Sequence, residues 1–365
     1  MASDSDPVTA ATHRSGDTVV VTGAAGALGK QVCELALADP AVSRVVAIDR
    51  RSMRRLPKGV EQHQADLAHA DLKPLLEGAS TVVHLAQADG PAPGGEISQP
   101  TGESAITHSV LDAAAAVGAT HIVLLSSAIA YGAWANNPVP LTEEAPLRPN
   151  PGVALASEKA EAERAALEWR DDHPGSTVAI LRPTVTLDPD GNGWLARALG
   201  RANALPVTDD EPPAQFLDVA DLARAVDLAR RLRIDGPRNV APDGWVSGDT
   251  VRALAGGTPR VRLPERLALR VAGMRWRWGL APTPPELVPY TVHPWVVAND
   301  RLRAEGWEPA ATNEEAYVAA HRAGPWATLS PRRRQELALG VAGLAVVGGL
   351  AAAVGLVRRR RKRRG

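Results

Sequence analysis

Cysteine is almost absent from this chain. Cys33 is the one cysteine among 365 residues, and this excludes an internal disulfide. It lies on the first helix that the sequence predicts, where a small thiol is typical of core packing. Residues 1–17 are polar and lack the apolar stretch of a secretory signal. We therefore expect the folded body to be cytoplasmic.

The chain also lacks net charge, because 41 basic residues balance 41 acidic ones. This balance hides an asymmetry. Residues 331–365 hold ten Lys and Arg against one acid, which leaves 31 bases against 40 acids in the remainder. A body this acidic argues against nucleic acid as a partner. The nine histidines are dispersed, with no helix-face spacing beside a third ligand, so we predict no metal site.

The most informative segment is TVVVTGAAGALGK at 18–30, where a β-branched run ends in three glycines spaced three apart. Gly23 permits the tight turn that leaves a buried strand. Gly26 lets backbone N–H groups approach a pyrophosphate, and Gly29 lets the next helix pack close to the strand. The strand, the glycine turn and the helix together predict a dinucleotide site.

An acid in the expected place supports this site. Asp49 follows a second apolar run, Val45 to Ile48, twenty residues beyond Gly29. A carboxylate there accepts hydrogen bonds from the adenosine ribose and repels a 2′-phosphate, which favours NAD over NADP. Arg50 and Arg51 follow at once. They would either attract that phosphate or form a solvated loop, and we favour the loop.

Apolar runs alternate with helical patterns from residue 18 to about 182. Such alternation predicts an α/β fold with a doubly wound parallel sheet of the Rossmann type. We expect a disordered N-terminus at 1–17, a core that binds NAD at 18–182, a substrate-binding region at 183–330 that returns elements to the core, and a C-terminal segment at 331–365. The predicted strands are 18–22, 44–49, 80–86, 121–126 and 177–181, and the predicted helices are 27–38, 103–117, 155–171, 218–232 and 264–278. A glycine- and proline-rich loop is predicted at 90–100.

Several later segments match one family in the order in which that family carries them. The chain resembles the extended short-chain dehydrogenase/reductases, the NAD-dependent epimerase/dehydratases, over roughly residues 18–318. The matching segments are Ala65-Asp66-Leu67, VVHLAQ at 82–87, LLSSAIAYG at 124–132, LTEEAPLRP at 141–149, LRPTV at 181–185, FLDVADLARAV at 216–226 and NDRLRAEGWEP at 299–309.

The resemblance implies which residues bind the cofactor. Asp66 resembles the acid that contacts the adenine amine, and 82–87 resembles the strand segment that lines the cofactor. Together with the glycine turn and Asp49, the expected cofactor residues are Gly23, Ala25, Gly26, Ala27, Leu28, Gly29, Asp49, Arg50, Asp66, Leu67, Leu85, Ala86 and Lys159.

The resemblance also implies a catalytic set, which this chain does not complete. In the family a tyrosine acts as the base, a lysine four residues later lowers the pKa of that tyrosine, and a serine positions the substrate oxygen. Ser127 and Lys159 match the serine and the lysine. Leu155 stands at the tyrosine position and has no proton to exchange. None of the three tyrosines, Tyr131, Tyr290 and Tyr317, is near Lys159 in sequence.

Each candidate also has a structural interpretation. Lys159 would pair on a helix surface with Glu163 at i,i+4, and Ser127 would bind backbone groups at a strand end. Tyr131 belongs to the strand-end signature, where we expect a structural role rather than a substitute base. Glu103 stands where the family tends to carry asparagine, and Leu187 replaces a tyrosine in the sixth-strand motif.

The helix predicted at 264–278 carries Trp276 and Trp278 among several arginines. An interfacial membrane helix uses such residues. We favour a lid helix of the substrate region whose tryptophans pack inward.

The C-terminal segment predicts contact with a membrane. Residues 337–357 carry no charge, and seven consecutive bases follow at 358–364. A helix of that length spans about 31 Å, which matches a bilayer core. The small-xxx-small pairs of this segment are suited to helix–helix packing, which is compatible with a homodimer. The basic end favours the cytoplasm, and so does the body that binds the cofactor, so the sequence leaves the topology open.

Two functions fit these observations. The first is a membrane-tethered, NAD-dependent epimerase, dehydratase or reductase that acts on a nucleotide-sugar or a related hydroxyl or carbonyl substrate. It would use Ser127 and Lys159 with an unorthodox base, either Glu103 or a water. The second is a non-catalytic NAD(P)-binding sensor or membrane scaffold.

Overall fold

The computed structural model describes residues 16–87, 102–189, 193–202, 212–254, 265–280 and 284–321. The strands of the described residues are β1 Asp17–Thr22, β2 Val42–Asp49, β3 Val60–Gln64, β4 Thr81–His84, β5 His121–Leu125, β6 Thr177–Pro183, β7 Val185–Leu187, β8 Phe216–Asp218 and β9 Gly236–Val240. Their helices are α1 Ala27–Ala38, α2 Glu103–Val117, α3 Ala154–Asp172, α4 Trp194–Ala202, α5 Val219–Arg231, α6 Gly248–Leu254, α7 Glu265–Arg277, α8 Asp300–Ala304 and α9 Asn313–Ala320. Short 3-10 turns lie at Pro74–Leu76, Ala128–Tyr131 and Pro285–Thr291.

Seven strands form one parallel sheet in the order β3-β2-β1-β4-β5-β6-β9. The chain moves outward from β1 through β2 to β3, then crosses back to β4 on the other side of β1. The strand order therefore reverses between β1 and β4, and ligands of such sheets bind at this crevice beyond the carboxyl ends of the strands. The predicted α/β fold with a doubly wound parallel sheet is confirmed.

The alternation of side chains along β1 divides the core into two layers. Val19 and Val21 face the cluster that includes α1 and α5, whereas Val20 faces the cluster that includes α2 and α3. All three valines are fully buried. A strand that is apolar on both faces is what a sheet covered by helices on both sides requires.

A third apolar cluster lies outside the sheet layers. It joins the short parallel pair of β7 and β8 to α4, to Trp276 of α7 and to the turn at Pro285–Thr291. Leu155, at the start of α3, packs against this cluster. The first turn of α3 thus contacts residues from the predicted substrate-binding region.

The end of the described chain is tied back to α5. Asp221, which is buried, accepts hydrogen bonds from the N–H groups of Ala310 and Ala311 at 2.9 and 3.1 Å. The indole N–H of Trp307 donates to the carbonyl of Asp221. These contacts anchor residues 307–311 to α5.

Some predictions fall on residues that the structure does not describe. These are most of the N-terminal segment at 1–17, the loop at 90–100 and the whole C-terminal membrane segment at 337–357. Among the described residues, none of the helices has the length and apolar character needed to span a bilayer. The domain boundaries stay a prediction, although β9 does return to the sheet from the region beyond 183.

Two buried histidines make the fold sensitive to acid. Burial lowers the pKa of His84 to about 3, helped by the nearby charge of Lys159, and burial lowers the pKa of His121 to about 4, helped by Arg233. The Nδ1 of His84 accepts from the hydroxyl of Thr22 at 2.7 Å. Its Nε2 donates to Thr107, whose own hydroxyl donates to a carbonyl. Both rings therefore remain neutral in the fold.

We expect the free energy of unfolding to fall as the pH drops below 6.5, the ordinary histidine value. Below this pH the two histidines bind protons in the unfolded chain but stay unprotonated in the folded chain. Because both histidines contribute, the slope approaches about 2.7 kcal/mol per pH unit near about pH 5 and declines toward about pH 4, where His121 also binds a proton in the fold. Urea unfolding at several pH values measures it, and His121→Gln should remove about half of the histidine contribution. An unchanged slope in that variant would contradict this account.

Candidate cofactor cleft

The glycine turn after β1 is held so tightly that two of its glycines admit no side chain. Gly23 has a φ of 76°, and a Cβ on it would lie 2.6 Å from the backbone nitrogen of Ala86. A Cβ on Gly29 would lie 2.5 Å from the carbonyl oxygen of Gly23. Close contact with the end of β4 fixes the first glycine, and the close approach of α1 fixes the last.

Gly26 differs from both, because a Cβ there would make only ordinary van der Waals contacts. A Cβ there would meet nothing nearer than 3.7 Å, and one of its two neighbours is the guanidinium of Arg51 at 3.8 Å. Gly26 is the N-cap of α1 and has no side-chain cap, so the first N–H groups of this helix, from Ala27 and Leu28 onward, need another partner. This cradle fits a phosphate group, since helix N-termini bind anions.

Asp49 closes the cradle at the end of β2. Its side chain is 5% exposed and accepts hydrogen bonds from the N–H of Ala25 at 3.0 Å and from the N–H of Arg51 at 2.8 Å. The exposed guanidinium of Arg51 pairs with the same carboxylate. Arg50 is exposed and its carbonyl accepts from Gln64. Arg51 is thus more than the solvated loop residue that we expected, because it contacts Asp49 and borders Gly26.

The remaining predicted cofactor residues border the same edge of the sheet in different ways. Leu85 is buried and its N–H donates to Thr22, while Ala86 is half-buried against Gly23. Leu67 packs into the cluster beneath α2 and α3. Asp66 lies at the exposed outer end, where the N–H of Ala68 and then His69 lower the pKa of its carboxyl group.

Lys159 lies in the interior, not on the surface of α3. Its ammonium donates to the carbonyl of Leu125 at 2.9 Å and pairs with the carboxylate of Glu103. Both side chains are 3% exposed. The alternative interpretation, a surface pair of Lys159 with Glu163, is wrong, because the turn of α3 directs both residues inward to different partners.

Glu163 instead forms the centre of a second buried network. Its carboxylate accepts a forked set of bonds from Arg182 at 2.6 to 3.1 Å, and Ser126 donates to it as well. Burial works against the charge on Arg182, but Glu163 outweighs burial and raises the pKa of that guanidinium. Arg182 also donates to the hydroxyl of Tyr131, which donates to Asn239.

Tyr131 is therefore occupied and poorly suited to act as a base. Burial raises the pKa of Tyr131 to about 12 despite the neighbouring Arg182. The hydroxyl of Tyr290 donates to the carbonyl of Ile129. Both hydroxyls thus bind partners other than Lys159.

Ser127 and Leu155 complete the region around Lys159. The hydroxyl oxygen of Ser127, which is 7% exposed, accepts from the N–H of Ile129 at 3.3 Å and caps the turn at Ala128–Tyr131. Leu155 is half-buried against the third apolar cluster. The position of the expected base thus presents hydrocarbon alone.

Beyond β6 a small cavity of about 40 Å³ lies within the predicted substrate-binding region. The hydroxyl of Thr184 borders it, is buried and has no hydrogen-bond partner among the described residues. The other lining residues include Val185, Phe216, Tyr290 and Trp295. The described residues contain no group of three or more His, Cys, Asp or Glu that could hold a metal ion.

Comparison with known proteins agrees with this geometry. The model of the NAD dependent epimerase/dehydratase family matches residues 19–240, more than half of the chain. The chain belongs to this family. The resemblance predicted from the sequence is confirmed, and the description of the family names NAD, the cofactor that Asp49 predicts.

The chain of this family member is similar to several solved structures. The UDP-glucose 4-epimerase of Thermus thermophilus in complex with NAD gives a TM-score of 0.62 at 22% identity, with 83% of this chain and 97% of that chain covered. The UDP-N-acetylglucosamine 4-epimerase of Methanobrevibacter ruminantium M1 gives 0.62 at 19% identity, covering 84% and 97%. MoeE5 in complex with UDP-glucose and NAD gives 0.58 at 25% identity, covering 84% and 97%.

Among curated proteins, adenylate-forming reductase Nps10 of Heterobasidion annosum is 34% identical over 76 residues. That match covers 21% of this chain and only 7% of the relative. It therefore bears on a short segment and not on the activity of the whole chain.

Sequence reasoning missed the partners that set the character of this site. The pairing of Glu103 with Lys159 and the bond from the N–H of Glu103 to Glu158 at 2.9 Å both join α2 to α3. A signal was present in Glu103, an acid at a position where the family tends to carry asparagine. An acid there would be expected to seek a cation once α2 and α3 pack together.

Proposed function

We propose that this chain is an NAD-binding epimerase/dehydratase-like protein that acts on a nucleotide-sugar, or a related hydroxyl or carbonyl substrate, with altered acid–base chemistry. The observation that carries the proposal is the buried pair of Glu103 and Lys159 beside Leu155. Burying two charges costs free energy that apolar residues would not cost. A role of the pair in proton transfer would explain why these two charges are buried one helical turn from Leu155, which replaces the catalytic tyrosine of the family.

The residues of the cleft would hold the cofactor in the following way. The N-terminus of α1 at Gly26 would bind the pyrophosphate, and Asp49 would accept hydrogen bonds from the adenosine ribose. Support for NAD comes from the family description and from solved relatives, two of which contain NAD. When bound, NAD supplies an acceptor for a hydride from the carbon that carries the substrate hydroxyl.

The chain itself must then take the proton of that hydroxyl as the C=O bond forms. Ser127 would position the substrate oxygen. The carboxylate of Glu103 would receive the proton, directly or through a water, and Lys159 would hold that carboxylate in place. Glu158, which binds the N–H of Glu103, lines an open groove of about 590 Å³ between α2 and α3.

The substrate class is supported by the relatives. MoeE5, at 25% identity, is in complex with UDP-glucose and NAD, and other solved relatives are named as UDP-sugar epimerases. A nucleotide-sugar is therefore the first substrate to test.

A non-catalytic NAD(P)-binding sensor or scaffold is the second candidate. Leu155 favours it, because the hydrocarbon at the position of the base packs into the third apolar cluster as a structural residue would. Cofactor binding is common to both candidates, while proton and hydride transfer belong to the first alone.

Isothermal titration calorimetry tests the shared requirement. We expect NAD to bind more tightly than NADP, and Asp49→Asn to weaken NAD binding by about ten-fold to a hundred-fold, since a bond to a charged acceptor is lost. Asp71→Asn, which changes an exposed acid in the segment after β3, is the matched control and should bind as the native chain does. If neither nucleotide bound, both candidates would be wrong.

We also propose that residues 337–357 tether the body to a membrane, with the body on the cytoplasmic side. Support comes from the 21 uncharged residues and the seven bases that follow. After carbonate extraction, the full chain should stay with the membranes and a chain that ends at residue 330 should be released. Release of the full chain would contradict the tether.

A further inference from the structure

An exposed apolar stripe runs along α7 and is bordered by positive charge. Leu267, Met274 and Trp278 expose 45%, 48% and 64% of their surfaces. Arg270 and Arg277 are exposed as well. These five residues form the α7 stripe. Large apolar side chains in such a group are unusual on a soluble surface and mark an interaction site.

Helical spacing places the members of the stripe together. Leu267, Met274 and Trp278 are separated by seven and four residues, so they share one face of a helix with 3.6 residues per turn. The N–H of Trp278 donates to the carbonyl of Met274, and this carries the helical turn as far as the tryptophan. Arg270 and Arg277, seven residues apart, follow one side of this face.

The opposite face of α7 is fixed to the body. Ala272 and Trp276 are buried, and Trp276 belongs to the third apolar cluster. Gly273 lies against Pro285, at the start of the turn that carries Tyr290 to the cavity by Thr184. The prediction that both tryptophans pack inward is confirmed for Trp276 and wrong for Trp278. Residues on one face of a helix are three or four positions apart, so two tryptophans that are two positions apart cannot both face the body.

The charge of the stripe indicates its partner. Apart from its C-terminal segment, the chain carries more acids than bases, yet the charged residues of the α7 stripe are both arginines. A second copy docked face to face would bring these arginines against their own equivalents, which like-charge repulsion disfavours. Anionic phospholipids satisfy both features, since arginines bind the headgroups while tryptophan and leucine enter the acyl boundary.

We propose that the α7 stripe docks the folded body onto an anionic phospholipid bilayer. The proposal rests on the proposed membrane association and adds a second contact that is separate from residues 337–357. It orients the substrate-binding region toward the membrane, because α7 packs against the turn at Pro285–Thr291. The tether would keep the stripe near the bilayer and raise its effective concentration there.

An environment-sensitive fluorophore on a single introduced cysteine tests this contact in the full-length chain. Burial raises the pKa of the Cys33 thiol to about 12, and the residue has no exposed surface, so labelling is selective for the new position. The probe is placed by Met274→Cys on the stripe. A second chain carries it by Leu232→Cys at the exposed end of α5, where the native side chain is 52% exposed.

With vesicles of phosphatidylcholine and phosphatidylserine, we expect the label at position 274 to brighten and shift to the blue, and the label at 232 to stay unchanged. Adding Arg270→Gln and Arg277→Gln should lower the docking equilibrium constant roughly thirty-fold, because each basic residue near such a surface contributes about five-fold. Pure phosphatidylcholine should give a much weaker response.

The possible failures are distinguishable. Protein that sediments with vesicles while the label at 274 stays in water would overturn the stripe and leave the tether intact. A blue shift that appears without vesicles and grows with protein concentration would show that a second copy of the chain, and not lipid, covers the α7 stripe. That result would overturn the proposal. Loss of NAD binding in calorimetry would overturn the proposed function without altering the label.

Discussion

Replacing Glu163 by glutamine should lower the free energy of unfolding by about 3–5 kcal/mol. The change keeps the size of the side chain and removes its charge. Arg182 stays charged because its guanidinium pKa is raised, and it is only 6% exposed. A buried cation without a counter-charge is the source of the cost. Denaturant unfolding of the two chains measures the difference.

Glu161→Gln provides a matched control. Glu161 lies on the same helix and carries the same charge, but it is exposed, so its loss should change the free energy of unfolding by no more than about 0.5 kcal/mol. A double-mutant cycle of Glu163→Gln with Arg182→Met should show strong coupling. If Glu163→Gln cost no more than Glu161→Gln, the network would not stabilise the fold as described.

Glu103→Gln should reduce hydride transfer by about 10²-fold to 10⁴-fold, the usual contribution of a positioned base. NAD affinity should change little, because the cradle at Gly26 and Asp49 is not altered. The measurement is stopped-flow absorbance of reduced nicotinamide with a panel of UDP-sugars and dTDP-glucose. A purely structural role for Glu103 would instead leave hydride transfer unchanged when it is measured on folded protein at saturating NAD.

Because the buried Lys159 loses its counter-charge in that variant, we also expect a loss of stability, and folding has to be checked separately. A thermal unfolding curve and an unchanged NAD titration establish that the fold survives. Glu161→Gln again serves as the control for the loss of one carboxylate from the region. Glu103→Asp should restore part of the rate, since the charge returns on a shorter side chain, and recovery of this kind would not follow from a packing role.

The parts of the fold that sequence predicts are those whose causes are local. The run Val19 to Val21 and the glycines after it predict β1 and its turn, because strand burial and a tight turn both leave a mark in consecutive residues. The same holds for α1, whose observed limits at Ala27 and Ala38 match the prediction. Here pattern and structure are set by the same few residues.

Elements with no local signal were missed. β3 reads VEQHQ and is mostly exposed, so it has no apolar run to reveal it, and β9 reads GPRNV with a glycine and a proline. Both are edge strands of the sheet. Edge strands face less of the core, and their pairing with a neighbour is decided by the completed sheet rather than by their own residues.

The candidate site divides in the same way. Lys159 and Ser127 were found through motif spacing, and the cradle was found through its glycines. The partner of Lys159 could not be predicted from the sequence. The i,i+4 spacing suggests Glu163, whereas the packing of α2 against α3 places Glu103 beside Lys159. Similarly, the free hydroxyl of Thr184 can be recognised only when the cavity around it is known.

The central claim is that this member of the family transfers a hydride although Leu155 replaces the usual base. Stopped-flow absorbance of reduced nicotinamide, with NAD and the panel of nucleotide-sugars, tests it most directly when the native chain is compared with Leu155→Tyr. We predict that the native chain forms reduced nicotinamide with at least one sugar. The claim would be contradicted if a sugar oxidised by Leu155→Tyr gave no signal with the native chain, and the sensor would then be the better account.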